Sequence, residues 1–423
     1  MNIFAIFLGS VFFFWGLVNG YKLSRSLKWF SEQEKNDPLD TQFIAKFIVL
    51  IPLLEEQSIL HSLLHALQNI EYPPEDYRIV FITTAKERRK MGLQTTEEIL
   101  QTILPKDFSY IHLHYPRKVG IKSDQLNWAL HILDAEGVIT SDTIIGVYDA
   151  DSEIVPKILK TVASKFANQN LNVAQQPTLY LKNWNQIPVL GKGFALLQTL
   201  YACGYEIQMW HHADALFPPM RYCVGHGLFV RYNFLKRIGY FPSPIEDTRL
   251  GHVCSFLKEP IEIVPIFDSC EVASTAFDRI RQSSVWFSGE VKFICAYSIA
   301  AKIKKQNFLF SSWLIFYKSW RTLVWMLKGL FLAGSFIYCL ITLNLLFLLI
   351  IPCFYLIPLL ILIKYKKIIR AIAQNLPPIS IGVILLMPIE YILMSFGPWF
   401  AVYRYAKSFF FSKDFEYFKT NRY

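Results

Sequence analysis

The chain has 423 residues, a formal net charge of +10, 53% hydrophobic residues and a mean hydropathy of +0.29. This composition is too apolar for an ordinary soluble enzyme and too charged for a protein buried entirely in lipid. It predicts a soluble domain joined to membrane helices. The basic residues cluster beside the apolar segments, which favours an anionic lipid surface over nucleic acid as a partner. The seven cysteines are scattered without a Cys-x-x-Cys pair, which predicts reduced thiols and argues against zinc.

The first apolar segment, residues 3–18, is rich in phenylalanine and is followed by the basic residues Lys22, Arg25 and Lys28. The basic flank comes after the apolar run, and no Ala-x-Ala cleavage site follows it. We therefore expect an uncleaved membrane anchor rather than a signal peptide. The positive-inside rule places the start of the chain outside and residues 21–306 in the cytoplasm.

Between residues 43 and 265, short apolar runs alternate with segments of helical periodicity. Candidate strands lie at residues 47–51, 79–82, 110–114 and 143–148, and candidate helices include residues 55–69 and 124–133. This succession predicts a largely parallel sheet that is covered by helices on both faces. The segment has no Gly-x-Gly-x-x-Gly sequence and no phosphate loop, so it lacks the fingerprints of a Rossmann dehydrogenase and of an ATPase.

The fourth candidate strand ends at two carboxylates one residue apart, Asp149 and Asp151. Open α/β sheets bind ligands at the carboxyl ends of their strands. Carboxylate oxygens suit Mg²⁺ or Mn²⁺, which proteins often share with phosphate oxygens. The alternative is a strand-to-turn junction, because aspartate is also common in turns.

Two further motifs carry groups that could take part in chemistry. Glu246 and Asp247 open a helical stretch at residues 248–256, where a carboxylate can act as a general base or cap the helix. His226, between two glycines, could approach a sugar or a metal, or be a buried histidine in a turn. His211 and His212, together with Asp214, are expected to line a cleft or the surface rather than form a metal cluster.

Residues 291–327 alternate apolar and aromatic residues with basic ones, among them Lys318 and Arg321. The stretch is too polar to span a membrane, so we expect amphipathic helices in the membrane interface. Surface helices packed on the soluble domain are the alternative. The apolar block at residues 329–363 is too long for one span and predicts two spans joined near Pro352.

The last apolar run, residues 379–402, contains Pro388, Glu390 and Pro398. It predicts either a span or a re-entrant pair of half-helices. A carboxylate at that depth is costly, so Glu390 should face protein or water. The basic residues 364–370 are expected in the cytoplasm. The basic tail favours a cytoplasmic carboxyl end, whereas four simple spans would place that end outside, and both topologies stay open.

In order and spacing, these motifs resemble the membrane-bound family 2 glycosyltransferases, which are inverting enzymes with a GT-A-type catalytic domain. The resemblance covers residues 47–289 and the membrane layout. It implies an α/β, Rossmann-like, mostly parallel catalytic domain with α-helical transmembrane and interface helices. The expected parts are an anchor at residues 1–20, the cytoplasmic domain at 40–290, interface helices at 291–327, transmembrane helices at 328–402 and a basic aromatic tail at 403–423.

The resemblance also implies roles for individual residues. Asp149 and Asp151 would hold Mg²⁺ or Mn²⁺, Asp247 is the candidate base, and Glu246 is expected to support it. Donor binding is assigned to Pro52, Glu55, Lys122, Asn127 and Asp149. The acceptor and diphosphate region is assigned to His226, Gln282 and Trp286.

Two positions depart from the family pattern. Gln282 and Trp286 match a Gln-x-x-Arg-Trp motif, but Val285 stands where the motif has arginine, and valine cannot grip a phosphate. Arg279 and Arg281 are the candidate substitutes. The second strand ends at Lys86 where many members carry an aspartate that touches the base.

The expected function is transfer of a sugar from a nucleotide-sugar donor, with a UDP-sugar favoured, to a lipid, lipid-linked or glycan acceptor. The expected place is the cytoplasmic face of a cell membrane, with a bacterial inner membrane favoured and several membrane passes. The alternatives are a processive polysaccharide synthase, against which Val285 counts, and a non-catalytic membrane scaffold with a degenerate transferase domain. Nucleic acid is not an expected partner.

Overall fold

A large mixed sheet forms the centre of the soluble part. The computed structural model describes residues 3–35, 43–87, 92–105, 109–167, 171–212, 215–365 and 378–411. The large sheet contains β1 (Phe47–Pro52), β2 (Tyr77–Thr84), β3 (Tyr110–Tyr115), β4 (Ile144–Val147), β5 (Val173–Gln175), β7 (Leu228–Arg231) and β8 (Glu262–Ile263). A separate parallel pair joins β6 (Thr178–Leu179) to β9 (Asp268–Ser269).

The strand order of the large sheet is β3-β2-β1-β4-β7-β5-β8. Strands β1 to β4 are mutually parallel, and β7 runs antiparallel between β4 and β5. The four predicted strands and the mostly parallel sheet are therefore confirmed. Because β1 and β4 are neighbours in register, with Leu50 beside Val147, the residues that follow them meet at one edge of the sheet.

Helices cover both faces of the sheet, as the uniformly apolar strands require. In β1, Ile48 and Leu50 point into a core shared with Leu126, whereas Val49 and Ile51 point into the opposite core. The helices of the soluble part are α2 (Leu60–Gln68), α3 (Thr96–Ile103), α4 (Lys122–Ala135), α5 (Ile158–Phe166), α6 (Val189–Tyr201), α7 (Ile207–His211), α8 (Tyr232–Ile238), α9 (Glu246–Leu257), α10 (Ala276–Glu290) and α11 (Phe293–Ile303). A π-helical turn at Ala202–Glu206 joins α6 to α7.

The apolar helices pack together beside the soluble part. They are α1 (Ile3–Lys35), α12 (Phe308–Ile341), α13 (Leu345–Ile350), α14 (Cys353–Lys364) and α15 (Ile381–Phe411). Within the described ranges, the segments Ile3–Gln33, Phe308–Ile341 and Ile381–Phe409 are long and apolar enough to span a membrane. Glycines allow close crossings: a Cβ on Gly16 would lie 2.3 Å from the Cys353 carbonyl oxygen of α14.

The structure differs from the expected division at residues 327 and 328, because α12 is one continuous helix through both sides of it. Lys318 and Arg321 are among the basic residues from which this stretch was predicted to be too polar to span a membrane. In the fold, Lys318 forms an ion pair with Glu290, and Arg321 lies over the Tyr205 ring. Both charges therefore face protein, which removes the reason for keeping the helix out of the bilayer.

The second apolar block also differs from two full spans. Its first part is the end of α12, and the rest forms α13 and the shorter apolar segment Leu348–Lys364. The expected break near Pro352 is present between α13 and α14. Residues 366–370 of the basic segment and residues 412–423 of the basic tail lie outside the described residues.

The last apolar run is a single helix, α15, rather than a re-entrant pair, although Pro388 and Pro398 lie within it. As expected for a carboxylate at membrane depth, Glu390 faces protein. Its Oε2 accepts a hydrogen bond from Arg279 Nε at 3.1 Å, and its Oε1 accepts one from Arg279 Nη2 at 2.5 Å. This buried pair ties α10 to α15 and commits Arg279 to a structural contact.

We expect Glu390→Gln to destabilise the protein, because it leaves the buried Arg279 guanidinium without a counter-charge. Removing one partner of a buried ion pair typically costs about 3–5 kcal/mol. Thermal unfolding in detergent should show a clear fall in Tm for E390Q. The double variant R279M/E390M should regain part of it, and Glu32→Gln, in the exposed pair with Lys28, should change little. A wild-type Tm for E390Q would contradict this account.

Candidate functional site

One cavity of about 650 Å³ joins the edge of the sheet to the membrane helices. Its sheet end is lined by Pro52, Lys122, Asp149, Asp151, His226, Glu246 and Asp247. Its membrane end is lined by side chains of α1, α12, α14 and α15, among them Trp15, Arg321, Lys328, Phe354 and Tyr391. Most of the residues selected from the sequence therefore meet in a single space.

Lys122, the first residue of α4, lies among the carboxylates. Its Nζ donates to Asp149 Oδ1 at 2.7 Å and to the Gly225 carbonyl at 2.7 Å, and lies 3.4 Å from Glu246 Oε1. Burial disfavours the ammonium, but Asp149, Glu246 and Asp247 outweigh it and raise the pKa of Lys122 above its ordinary value. The side chain is therefore a fixed positive charge at the carboxyl edge of the sheet.

The start of α4 places this lysine. The Ile121 N–H donates to Asp124 Oδ2 at 2.9 Å, so the acid in the first turn closes the end of the helix. Gly120, with φ of 123°, makes the turn that leads into it. Lys86, which follows β2, donates to the Gly120 carbonyl at 3.1 Å and lines the cavity. This is the strand end at which many members of the family carry an aspartate.

The two aspartates after β4 differ in exposure. The Asp149 side chain is 30% exposed, whereas Asp151 is only 1% exposed. Asp151 Oδ2 accepts a hydrogen bond from the Glu271 N–H at 3.4 Å, and the Asp151 carbonyl accepts one from Lys182 Nζ at 2.6 Å. Burial and these contacts hold the second aspartate in place beneath the first.

Asp149 and Asp151 could supply only some of the ligands that a divalent cation requires. Mg²⁺ is commonly held by one or two carboxylates together with phosphate oxygens and water, and Asp149 and Asp151 supply that carboxylate share. Across the ranges that the structure describes, no group of three or more His, Cys, Asp or Glu residues is arranged to hold a metal. A cation here would take its remaining ligands from a bound phosphate and from water.

Asp247 lies in the first turn of α9, on the wall of the cavity. Burial, and then the neighbouring Glu246 carboxylate, raise the pKa of Asp247 to about 7, although Lys122 acts in the opposite direction. Asp247 Oδ1 accepts a hydrogen bond from the Thr248 N–H at 2.6 Å. A carboxylate with a pKa near neutrality is suited to accept a proton at physiological pH.

Two glycines bring α9 against the site, and neither was assigned a role from the sequence. A Cβ on Gly225 would lie 3.0 Å from both Asp247 Oδ2 and Lys122 Nζ. A Cβ on Gly251 would lie 2.3 Å from the Tyr222 Cα. The absence of a side chain at both positions therefore lets the loop before β7 and the helix α9 meet.

His226 is buried, as one of the two interpretations expects, and it also lines the cavity. Its Nδ1 lies 2.6 Å from Asp268 Oδ2 and 3.2 Å from Thr178 Oγ1. Burial disfavours the imidazolium, but Cys270 and Asp268 raise the pKa of His226 well above its ordinary value. Asp268 carries no signal in the sequence, because it meets His226 only through the pairing of β6 with β9.

Gln282, Val285 and Trp286 line the cavity from one face of α10, as their spacing predicts. Gln282 Oε1 is buried without a hydrogen-bond partner among the described residues. Arg281 lies 3.7 Å from Asp278 and does not line the cavity. Neither candidate substitute for the motif arginine therefore reaches the place that Val285 occupies.

Two of the expected donor-binding residues lie outside the cavity lining. The Asn127 side chain donates to the Phe241 carbonyl and accepts from the Phe241 N–H, both at 2.9 Å, so it ties α4 to the loop before α9. Glu55 has a φ of 53°, and its N–H donates to Glu87 Oε2 at 3.3 Å. The next residue, Glu56, lines the cavity instead.

The paired histidines also lie apart from the cavity. The His211 ring packs edge-on against Trp29 at 4.7 Å, and His212 Nδ1 lies 2.6 Å from the Gln208 carbonyl. Asp214 lies outside the described residues. The sequence analysis assigned no site role to Lys22, Arg321 and Lys328, which line the membrane end of the cavity. The signal for them is a basic residue beside or within an apolar stretch.

Residues 144–363 match the protein family described as glycosyl transferase family group 2. Among solved structures, the chain is similar to mannosyltransferase PcManGT from Pyrobaculum calidifontis in complex with GDP-Man and Mn²⁺, with 15% identity, a TM-score of 0.53, and coverage of 97% of this chain and 99% of that one. It is also similar to S. aureus TarS 1-349 in complex with UDP-GlcNAc, with 14% identity, a TM-score of 0.36, and coverage of 88% and 93%. No curated protein sequence matches the chain. The first likeness shows a fold of the GT-A type.

We expect Lys122→Gln to destabilise the ligand-free protein more as the pH rises. Lys122 lowers the pKa of Asp247, so its loss raises the folded-state pKa further above the ordinary value of 3.8. A raised folded-state pKa stabilises the protein at low pH, and this contribution is lost as the pH rises through that pKa. The difference in Tm between wild type and K122Q should therefore be larger at about pH 8 than at about pH 5.

The matched control is Lys28→Gln, in an exposed pair on α1, which should show a small difference in Tm that does not depend on pH. A Tm difference for K122Q that is the same at both pH values would contradict the electrostatic account of this cluster.

Proposed function

The chain belongs to glycosyl transferase family group 2, and from that premise we propose that it transfers a sugar from a nucleotide-sugar donor to a lipid, lipid-linked or glycan acceptor. The supporting observation is the single cavity, which has Lys122, Asp149, Asp151 and Asp247 at one end and membrane-helix side chains at the other. A water-soluble donor and a lipid-borne acceptor could meet in such a space.

The donor end is formed by charge. Lys122 would donate to the diphosphate, since a charge-assisted hydrogen bond to phosphate is stronger than one between neutral groups. Mg²⁺ or Mn²⁺ held by Asp149 and Asp151 would neutralise negative charge on the leaving diphosphate. Pro52 lies beside them at the end of β1. A UDP-sugar remains the preferred donor, and GDP-mannose belongs in the same test because a protein of similar fold was solved with it.

Transfer would proceed with inversion. An acceptor hydroxyl attacks the anomeric carbon from the side opposite the diphosphate, a new C–O bond forms, and the bond to the diphosphate oxygen breaks. Asp247 takes the hydroxyl proton, and the nucleoside diphosphate leaves with the bonding electrons. Glu246 supports this role by keeping the pKa of Asp247 raised. His226, Gln282 and Trp286, which all line the cavity, would contact the acceptor and the diphosphate.

The proposed location is a cell membrane, with a bacterial inner membrane favoured and the catalytic domain at residues 40–290 in the cytoplasm. The support is the basic flank after the apolar part of α1 and the cytosolic supply that nucleotide sugars require. The long apolar helices then hold the cavity at the membrane surface.

The direct test is nucleotide release by the purified protein in nanodiscs with a panel of UDP- and GDP-sugars, with and without added membrane lipid extract. We expect one donor to be consumed, faster with the extract, and we expect a chelator to stop release until Mn²⁺ or Mg²⁺ is restored. Asp149→Asn should be inactive while remaining folded, because Glu246 and Asp247 still compensate the charge of Lys122. Failure of every donor in the presence of the extract would refute the proposed function.

A second prediction concerns Asp247. Asp247→Asn keeps the size of the side chain and an oxygen that can accept from the Thr248 N–H, but it cannot take a proton. Transfer should fall about 10²–10⁴-fold while nucleotide-sugar binding is retained. The wild-type rate should rise with pH through about 7, as Asp247 loses its proton. Nucleotide release and equilibrium binding of the donor measure the two quantities separately.

The matched control for Asp247→Asn is Glu246→Gln, for which we expect a milder loss. If E246Q is inactive while D247N transfers almost normally, the two roles are exchanged. If both variants transfer at the wild-type rate, the base lies elsewhere.

Topology provides an independent prediction. A cysteine at Lys160, exposed on α5, should resist a membrane-impermeant thiol reagent in intact cells and react after permeabilisation, in a chain that also carries Cys295→Ser. A cysteine at Thr342, at the far end of α12, should react in intact cells. The opposite pattern would contradict the orientation and the access to cytosolic donors.

A further inference from the structure

The membrane end of the cavity contains three basic side chains from two helices. Lys22 comes from α1, and Arg321 and Lys328 come from α12. We call this part of the cavity, with the tyrosine rings of Tyr201, Tyr205, Tyr317 and Tyr391, the basic chamber. Lys22 and Lys328 both lie close enough to Arg321 for the like charges to repel.

Aromatic rings, rather than carboxylates, hold these cations. The Arg321 guanidinium lies 4.2 Å from the centre of the Tyr205 ring, and Lys22 Nζ lies 5.8 Å from the same ring. Lys328 Nζ lies 4.6 Å from the Tyr391 ring. A ring face attracts a cation without neutralising it.

No carboxylate lies within ion-pair distance of these three cations in the part of the chain that the structure describes. The neighbouring Lys318 is different, because it is paired with Glu290. Two acids adjoin the tyrosines in sequence. Glu390, beside Tyr391, is paired with Arg279, and Glu206, beside Tyr205, accepts a hydrogen bond from Tyr222 at 2.7 Å through its Oε1. Burial raises the pKa of Glu206 to about 7, so near neutral pH it carries only part of a negative charge. Arg321, which is always protonated, therefore gives the basic chamber a positive charge that is not paired with a carboxylate of the described residues.

Charges in an apolar helix are costly, and those that persist usually face a cavity and mark a site for a ligand or an ion. Arg321 and Lys328 meet this description, because both lie on the span Phe308–Ile341 and both face the cavity. Arg321 is permanently charged, and the amines of Lys22 and Lys328 lie beside it without a carboxylate of the described residues at ion-pair distance. A phosphate monoester or diester would accept from the arginine fork and from both amines, and its negative charge would favour their protonated forms.

We propose that the basic chamber binds a phosphate group in the head of a lipid acceptor, which deepens the proposed function and rests on it. The phosphate is a binding handle that aims a hydroxyl of the same lipid toward Asp247. The apolar side chains that line the same end, Trp15, Val18 and Phe354, contact the first part of the acyl or prenyl chain.

The position of the chamber selects a lipid over the other sources of phosphate. The donor diphosphate has its own cation, Lys122, beside Asp149 at the sheet end. Free inorganic phosphate would gain nothing from the apolar lining that α1 and α14 contribute. A lipid head group uses both features, because its charge and its hydrocarbon enter the cavity together.

The experiment is native mass spectrometry of the purified full-length protein in a phosphate-free detergent, with phosphatidic acid or diacylglycerol of the same acyl chains as probes. We expect wild type to retain phosphatidic acid in preference to diacylglycerol. R321Q/K328Q should weaken that retention about 10- to 100-fold, as expected for lost contacts to a charged group. Inorganic phosphate is added in a separate arm as a competitor.

The controls distinguish a loss of lipid binding through the chamber charges from a loss caused by unfolding or by weaker attraction of the lipid to the protein surface. R321K/K328R keeps both charges and should retain the phosphatidic acid, whereas Lys302→Gln removes an exposed charge on α11 and should change nothing. Donor binding should be unchanged in R321Q/K328Q and lost in Asp149→Asn, which should still retain the lipid. A wild-type Tm for R321Q/K328Q would establish that the double variant is folded. If the double variant is unfolded, the single variants R321Q and K328Q are tested instead.

Equal retention of phosphatidic acid by wild type and R321Q/K328Q, or equal retention of the two probes by wild type, would overturn the inference and leave the proposed function intact. Displacement by inorganic phosphate without any preference between the two lipids would assign the chamber to the free ion and also overturn it. If wild type retains phosphatidic acid through the chamber yet consumes no donor, the proposed function fails and the binding site remains.

Discussion

The site depends on one buried positive charge among several negative ones. Lys122 contacts Asp149 and lies beside Glu246, while Asp247 raises its pKa from the same side. Carboxylates this close cannot all be buried in charged form without a counter-charge. Because they come from the end of β4 and the start of α9, the lysine at the start of α4 joins separate parts of the chain. In the proposed function, the contact with Asp149 neutralises Lys122 until a donor phosphate binds.

Two glycines and a second buried ion pair determine the packing around this cluster. Gly225 and Gly251 allow the loop before β7 and the helix α9 to approach without a side chain between them. The buried pair of Arg279 and Glu390 then fixes α10 against α15, so the face of α10 that carries Gln282 and Trp286 closes the cavity between the sheet and the membrane helices. One continuous space results, with charged side chains at the sheet end and aromatic, basic and apolar side chains at the end formed by the long apolar helices.

Local patterns in the sequence predicted the strands of the parallel sheet, the position of the paired aspartates at the end of β4 and the acidic start of α9. Each of these features depends on residues that are close together in the sequence. Contacts between segments that are distant in the sequence could not be predicted from local patterns. The contact between His226 and Asp268 is an example. The predicted boundary between interface and membrane helices differs from the structure for a related reason, because the single helix Phe308–Ile341 crosses it. Lys318 and Arg321 were counted as exposed polarity, but each is directed to a partner inside the protein.

The central claim is that the Lys122 cluster is the donor site. Its most direct test is an experimental structure of the protein with a bound, non-reactive nucleotide sugar and Mn²⁺. We expect the donor diphosphate to lie within hydrogen-bond distance of Lys122 Nζ, with the 2.7 Å contact to Asp149 broken and Asp149 and Asp151 facing the cation. A donor bound elsewhere in the cavity, with the contact between Lys122 and Asp149 intact, would contradict the account.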